Sequence, residues 1–249
     1  MPYFTSQTHP DPATTAAALA ADFARWIINS PGTLNIAFSG GRTPELFFMV
    51  LAEEKYKTLP WHRLRCFWVD ERWVPHNSRE SNFGNACRQL FVPLGFPHEQ
   101  LFPMVEATAS PDDSINQSVE IRTAAQRYSR LLCRELPLID DVPAFDLVLL
   151  GMGSDGHTAS LFPGVVPETP EATCSATRHP TTGAARLTLT LPVINHARQV
   201  AFLITGTDKA ATVLAVRNGS DPSLPAAAVK PTSNPIAWYL DAGANPARR

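Results

Sequence analysis

The stretch Phe145-Asp-Leu-Val-Leu-Leu150, running straight into Gly151-Met-Gly-Ser-Asp-Gly-His157, decides how the rest of this chain is read. Its first six residues are the most apolar strand-like run. A strand apolar on both sides belongs in a sheet covered on both faces. The glycines that follow mark where the chain leaves that sheet. Upstream, Asp11 to Asn29 reads as a helix that buries Leu19, Phe23, Trp26 and Ile27, with Asp11-Pro12 as its start and Pro31-Gly32 as its stop. Leu34-Asn-Ile-Ala-Phe38 is a second buried strand. A helix follows it, with Thr43 expected as N-cap, Pro44 at the first helical position, and Leu46, Met49 and Val50 facing inward.

The same unit returns. Arg65-Cys-Phe-Trp-Val69 reads as a strand ending in Asp70-Glu71-Arg72, and a helical stretch runs from Asn82 to Phe91. A loop rich in Pro, Asp and Ser precedes a longer helix from Ile115 to Glu135. Downstream, Arg186 to Leu191 and Val200 to Thr205 read as strands, Lys209 to Arg217 as a helix, and Pro235 to Asp241 as a closing helix. The segment Val165 to Gly183, rich in Pro and Thr, reads as a mobile surface loop. Alternating strands and helices define the α/β class: a mostly parallel sheet with helices on both faces, in a single domain over residues 1–249. Ligands of such sheets bind beyond the carboxyl ends of the strands, and the small, polar and charged residues collect there.

Bulk composition agrees. At 249 residues, 44% hydrophobic and 18% charged, the chain can bury a proper core and is not of disordered type. A formal net charge of -2 argues against a nucleic-acid or anionic-membrane binder, which needs a basic field. Cys66, Cys87, Cys133 and Cys174 are scattered, with no CxxC pair and no histidine at zinc spacing, so reduced thiols are expected rather than a metal site. The first ten residues lack the basic and apolar regions of a signal peptide, and no apolar run reaches the roughly 20 residues of a membrane span. A cytoplasmic protein is expected.

Three segments carry chemistry. In Ser39-Gly40-Gly41-Arg42-Thr43, two glycines after a strand let backbone N–H groups approach an anion, and the following helix directs its positive end the same way. A tight, capped turn without a ligand accounts for the segment equally well. Asp70-Glu71-Arg72 either brings acid and base functions to the ligand edge or is a solvated charge run. The third is the most telling: Gly151, Gly153 and Gly156 free the backbone around Asp155 and His157. An imidazole displayed there beside a carboxylate can take a proton from water near neutral pH. No HxxxH or Cys/His set accompanies it, so no metal is expected. Arg186 and Lys209 are surface charges or, with the Gly-Gly loop, the fixed cations that a phosphate dianion needs.

Taken together these segments resemble the 6-phosphogluconolactonase family. The match rests on Ser39-Gly-Gly-Arg-Thr-Pro44, Trp68-Val-Asp-Glu-Arg72, Gly151-Met-Gly-Ser-Asp-Gly-His-Thr-Ala-Ser-Leu-Phe-Pro-Gly164, Arg186-Leu-Thr-Leu-Thr190, Thr205-Gly-Thr-Asp-Lys209 and Leu224-Pro-Ala-Ala-Ala228. The resemblance implies a Rossmann-like α/β fold and hydrolysis of a phosphorylated δ-lactone, without cofactor, metal or covalent intermediate. It implies His157 as general base or acid supported by Asp155, and Asp70 and Arg72 at the lactone end. Ser39, Gly40, Gly41, Thr43, Arg186 and Lys209 would hold the phosphate, with Arg42 flanking them where the family varies. The implied partner is a small sugar-phosphate lactone, and the implied state a monomer or small homo-oligomer.

Two rivals stand beside this reading. Glucosamine-6-phosphate deaminases are similar in fold and phosphate loop, but they carry an acidic residue five positions after the histidine, where this chain has Phe162. A non-catalytic sugar-phosphate sensor would have no use for a poised base.

Overall fold

A computed structural model describes residues 4–107 and 115–246, without the side chains of 115 and 116. The expected loop rich in Pro, Asp and Ser falls largely outside the described residues. In chain order the elements are β1 (Gln7–His9), α1 (Pro12–Asn29), β2 (Leu34–Phe38), α2 (Arg42–Leu51), β3 (Leu64–Trp68), β4 (Asp70–Arg72), α3 (Asn82–Ala86), β5 (Leu101–Phe102) and α4 (Ile115–Glu135). They continue with a small hairpin of β6 (Leu138–Ile139) and β7 (Val142–Pro143), then β8 (Leu147–Leu150), β9 (Cys174–Arg178) and β10 (Ala185–Leu189). The last are α5 (Leu191–Asn195), β11 (Val200–Ile204), α6 (Ala210–Asn218) and β12 (Ala237–Asp241).

Seven strands form one sheet in the order β1-β12-β11-β8-β2-β3-β5, and every pairing in it is parallel. All residues of β2, β8, β11 and β12 are buried, so both faces of its centre are covered. This is the α/β architecture expected. Strands that are apolar on both faces are stable only between two layers of helix.

The start of α1 shows how local chemistry fixes an element. Asp11 accepts the Thr14 amide (2.8 Å) while Thr14 Oγ1 accepts the Asp11 amide (3.3 Å), and Pro12 occupies the first helical position. Leu19, Phe23, Trp26 and Ile27 are buried, as their spacing predicts.

Several sequence expectations are corrected. The closing helix is the strand β12, which lies between β1 and β11 with all five residues buried. Its run Ala-Trp-Tyr-Leu is short and aromatic, and Trp238 stacks on Phe202 of the neighbouring strand at 4.7 Å. Helix α2 is capped by Gly41, not Thr43, and buries Phe47, Phe48 and Leu51, while Met49 is half exposed. The two phenyl rings take the inner face because they fill the gap between α1 and β2, Phe47 against Phe23 (5.5 Å) and Phe48 against Phe38 (5.6 Å). The segment Val165 to Gly183 contains β9, four of whose five residues are buried.

The strand expected over Arg186–Leu191 is not part of the main sheet. It is β10, the centre of a second, antiparallel sheet of order β4-β10-β9. Val69 joins the two sheets: its N–H donates to Phe38 of β2 (3.0 Å) and its carbonyl accepts from Leu189 of β10 (2.7 Å). The chain therefore leaves the parallel sheet after Trp68 and enters the antiparallel one at Asp70.

Candidate active site

The carboxyl ends of β2, β8 and β11, together with β4 and β10, surround a cavity of about 690 Å³. Its walls include Ser39, Gly40, Gly41, Arg42 and Thr43 from the loop after β2, and Asp70 and Arg72 from β4. His157 comes from the loop after β8, Arg186 from β10 and Lys209 from the turn after β11. Asp155 is not in the wall. It supports His157 from behind.

One side of the cavity brings together a glycine turn, the start of α2 and a lysine. Gly41 adopts φ 101°, a left-handed conformation costly for residues with a side chain, and no side chain caps the amides of the first turn of α2. A helix start left in this state attracts negative charge. Across from it, the Thr43 and Thr205 hydroxyl oxygens are 2.9 Å apart. Lys209 Nζ lies 3.1 Å from Asp208. The loop carrying Lys209 is held by Asp241, which accepts the Gly206 amide on both oxygens (3.0 and 3.1 Å). Ser39 is largely committed to structure, because its hydroxyl accepts the Gly151 amide (3.3 Å) and so ties β2 to β8.

The other end carries an acid–base pair. His157 Nδ1 is 2.6 Å from Asp155 Oδ1. A carboxylate can only accept, so Nδ1 carries the hydrogen, which in the neutral ring leaves the lone pair on Nε2. Partial burial pushes the Asp155 carboxyl up, but the His157 amide, the imidazole charge and the ring hydrogen bond outweigh it and hold the group below its ordinary range. Phe162 lies 5.1 Å from the His157 ring and 5.0 Å from His179, so hydrocarbon backs the imidazole.

Between the ends stand the charged residues of β4 and β10. Arg186 and Arg72 are register partners in the antiparallel ladder, so their side chains leave the same face of the sheet. The Nε of each is buried without a hydrogen-bond partner among the described residues. Asp70 is buried and its Oδ2 lies 3.9 Å from Arg186 Nη1. Glu71 points away into the protein. Burial pushes its carboxyl up to about 7, against the pull of the Phe83 and Asn82 amides, which it anchors at the start of α3, and of the Arg72 amide beside it. Its role is structural.

Asn82, Thr205 and Asp208 also line the cavity and were not picked out from the sequence. Thr205 sits in Thr205-Gly-Thr-Asp-Lys209, where a hydroxyl beside a glycine at a strand end was the available signal. Nothing local marks Asn82, because it reaches the cavity only through the fold. Among the described residues, no three His, Cys, Asp or Glu side chains gather into a metal-binding group, and no helix is long and apolar enough to cross a membrane.

Fold and site together define a parallel α/β protein whose cavity brings a glycine turn at a helix start together with a histidine backed by an aspartate. The chain belongs to the family of glucosamine-6-phosphate isomerases and 6-phosphogluconolactonases, whose model matches residues 9–238. It is 32% identical over 220 residues to the 6-phosphogluconolactonase of Haemophilus influenzae, covering 87% of this chain and 88% of that protein. It is 36% identical over 217 residues to the GDH/6PGL endoplasmic bifunctional protein of Oryctolagus cuniculus. That match takes in 84% of this chain but only 26% of the longer relative. The solved structure of 6-phosphogluconolactonase from Trypanosoma brucei superimposes with a TM-score of 0.84 at 29% identity, covering 96% of this chain and 97% of that one.

Proposed function

We propose that this chain hydrolyses 6-phospho-D-glucono-1,5-lactone to 6-phospho-D-gluconate, the lactone-opening step of the oxidative pentose phosphate pathway. It belongs with lactone hydrolases, and its relatives named 6-phosphogluconolactonase support that class. The observation that carries the finer reading is the Asp155–His157 contact of 2.6 Å in a cavity that also holds the open start of α2. Such a site binds an anionic group at one end and handles a proton at the other.

In the proposed reaction, His157 Nε2 takes a proton from water as the oxygen adds to C1. The resulting oxyanion is steadied by Arg72, a contribution worth roughly 3 kcal/mol at comparable preorganised sites. Collapse breaks the bond from C1 to the ring oxygen, and the imidazolium returns its proton to that oxygen. Asp155 stabilises the imidazolium while it exists. Ser39, Gly40, Gly41, Arg42, Thr43, Arg186 and Lys209 surround the phosphate. No metal, cofactor or covalent serine intermediate enters the scheme. On the same reading the protein works in the cytoplasm on a small molecule, as a monomer or small homo-oligomer.

The isomerase and deaminase branch of the family is the weaker reading. Phe162 places a buried hydrocarbon ring against His157, where aminosugar-phosphate chemistry calls for a further acid–base group. The deciding experiment follows hydrolysis of freshly generated lactone, corrected for spontaneous opening, with chelator present and with His157→Ala alongside. Chelator-resistant acceleration lost in the variant supports the proposal. Absence of acceleration, with ammonia released from glucosamine 6-phosphate, replaces it with the deaminase reading.

A further inference from the structure

A buried row of hydrogen bonds crosses the middle of the cavity wall, and the reaction scheme above gives it no task. Ser160 Oγ donates to Asp70 Oδ2 at 2.6 Å. Asn82 Nδ2 donates to Asp70 Oδ1 (3.2 Å) and to the Asp70 carbonyl (2.9 Å). Ser160 is 0% exposed and Asn82 1%, so water does not compete for either bond. Asp70 Oδ2, the oxygen that Ser160 holds, is also the one facing Arg186 Nη1.

The backbone goes to some trouble to place both donors. Ser160 follows Ala159, which adopts φ 50°, a left-handed conformation costly for an alanine, inside a turn closed by the bridge between Thr158 and Leu161. The Ser160 amide is then taken up by Thr188 Oγ1 of β10 (3.2 Å). Asn82 reaches Asp70 only because residue 40 is glycine, since a Cβ there would lie 1.9 Å from Asn82 Oδ1. A second task for Gly40, besides lining the anion end, is therefore to admit the Asn82 amide. Asn82 Oδ1 has no hydrogen-bond partner among the described residues, a cost accepted to keep Nδ2 on Asp70.

Buried hydrogen bonds to a carboxylate fix its plane, and at 3.9 Å the fixed charge of Asp70 attracts and orients the Arg186 guanidinium without a hydrogen bond between them. Among the described residues the Arg186 Nε has no hydrogen-bond partner, and the Phe162 ring is 5.9 Å from the guanidinium carbon. We infer that Ser160 and Asn82 are positioning residues for substrate binding, acting through Asp70 to hold the Arg186 guanidinium where it meets the substrate's anionic group. This rests on the phosphorylated-lactone reading.

The test compares wild type with Ser160→Ala in two assays: lactone hydrolysis, and calorimetric binding of 6-phosphogluconate. Both KM and the product Kd should rise about tenfold with kcat nearly unchanged, the mark of lost uniform binding from a charge-assisted contact. In an Arg186→Met background, Ser160→Ala should add nothing further, because the two act in series. Unchanged KM and Kd, or a full additional loss in the Arg186→Met background, overturns the inference. Should Ser160→Ala fail to fold, Asn82→Ala carries the same comparison from the opposite carboxylate oxygen. Wild type that binds 6-phosphogluconate but does not open the lactone, with Ser160→Ala still weakening binding, refutes the proposed function and leaves the relay standing.

Discussion

Thr43 and Thr205 present their hydroxyl oxygens to each other at 2.9 Å, although 162 positions separate them in the chain. One stands in the first turn of α2 and the other just past the carboxyl end of β11, so the contact joins these two elements in the cavity wall. Only one hydroxyl can donate to the other, which leaves one hydrogen free for a ligand. Thr43→Val or Thr205→Val should therefore raise KM several-fold with kcat nearly unchanged. Steady-state kinetics on the phosphorylated lactone checks this.

The Asp155–His157 pair yields a sharper loss. His157→Ala should lower kcat by roughly 10²–10⁴, the usual worth of a general acid–base group. Asp155→Asn should give a smaller fall, because an amide neither fixes the Nδ1 hydrogen nor stabilises an imidazolium. The sign of the pH effect follows from the lowered carboxyl. Its stabilisation is present above the ordinary value of 3.8 and is lost only as pH falls through the lower folded value. Rate–pH profiles should show no ionisation of Asp155 between about pH 5 and 8.

Gly153 tests geometry rather than charge. A Cβ at this position would lie 2.2 Å from His157 Nδ1 and 2.3 Å from Asp155 Oδ1. Gly153→Ala must push the pair apart, and it should cost activity nearly as much as Asp155→Asn. A far-ultraviolet circular dichroism spectrum like that of wild type would assign the loss to the pair.

Glu71 governs stability. A carboxyl raised from 4.5 to about 7 by burial binds more protons folded than unfolded between those values. Unfolding free energy should therefore fall as pH rises from about 4.5 to 7 and level off above, by at most on the order of 3 kcal/mol. Urea titrations across that range should show this slope, and Glu71→Gln should flatten it.

Much of this was legible in the sequence, and the rest was hidden for physical reasons. Glycines and charges at strand ends announce themselves, because a chain leaving a buried sheet toward a ligand needs small and polar residues there. Ser39 to Thr43, Asp70, Arg72, His157, Arg186 and Lys209 all lie in the cavity wall, whereas Asp155 stands behind His157 and Glu71 turns into the protein. β12 reads as a helix from sequence because its four-residue apolar run has no period of its own. β1 went unread because Gln-Thr-His, at the sheet's edge, is not apolar. The antiparallel sheet was missed because strand pairing is a long-range property that Thr188 and Asp70 do not advertise locally. Ser160 and Asn82 escaped for the same reason: 90 positions separate Ser160 from the carboxylate it holds.

Val69 holds the two halves of the site together. The glycine turn and Thr205 ride on one sheet, whereas Asp70, Arg72 and Arg186 ride on the other, and this one backbone residue bonds to both. How the two groups of residues face each other across the cavity thus depends on a residue that lines no part of it.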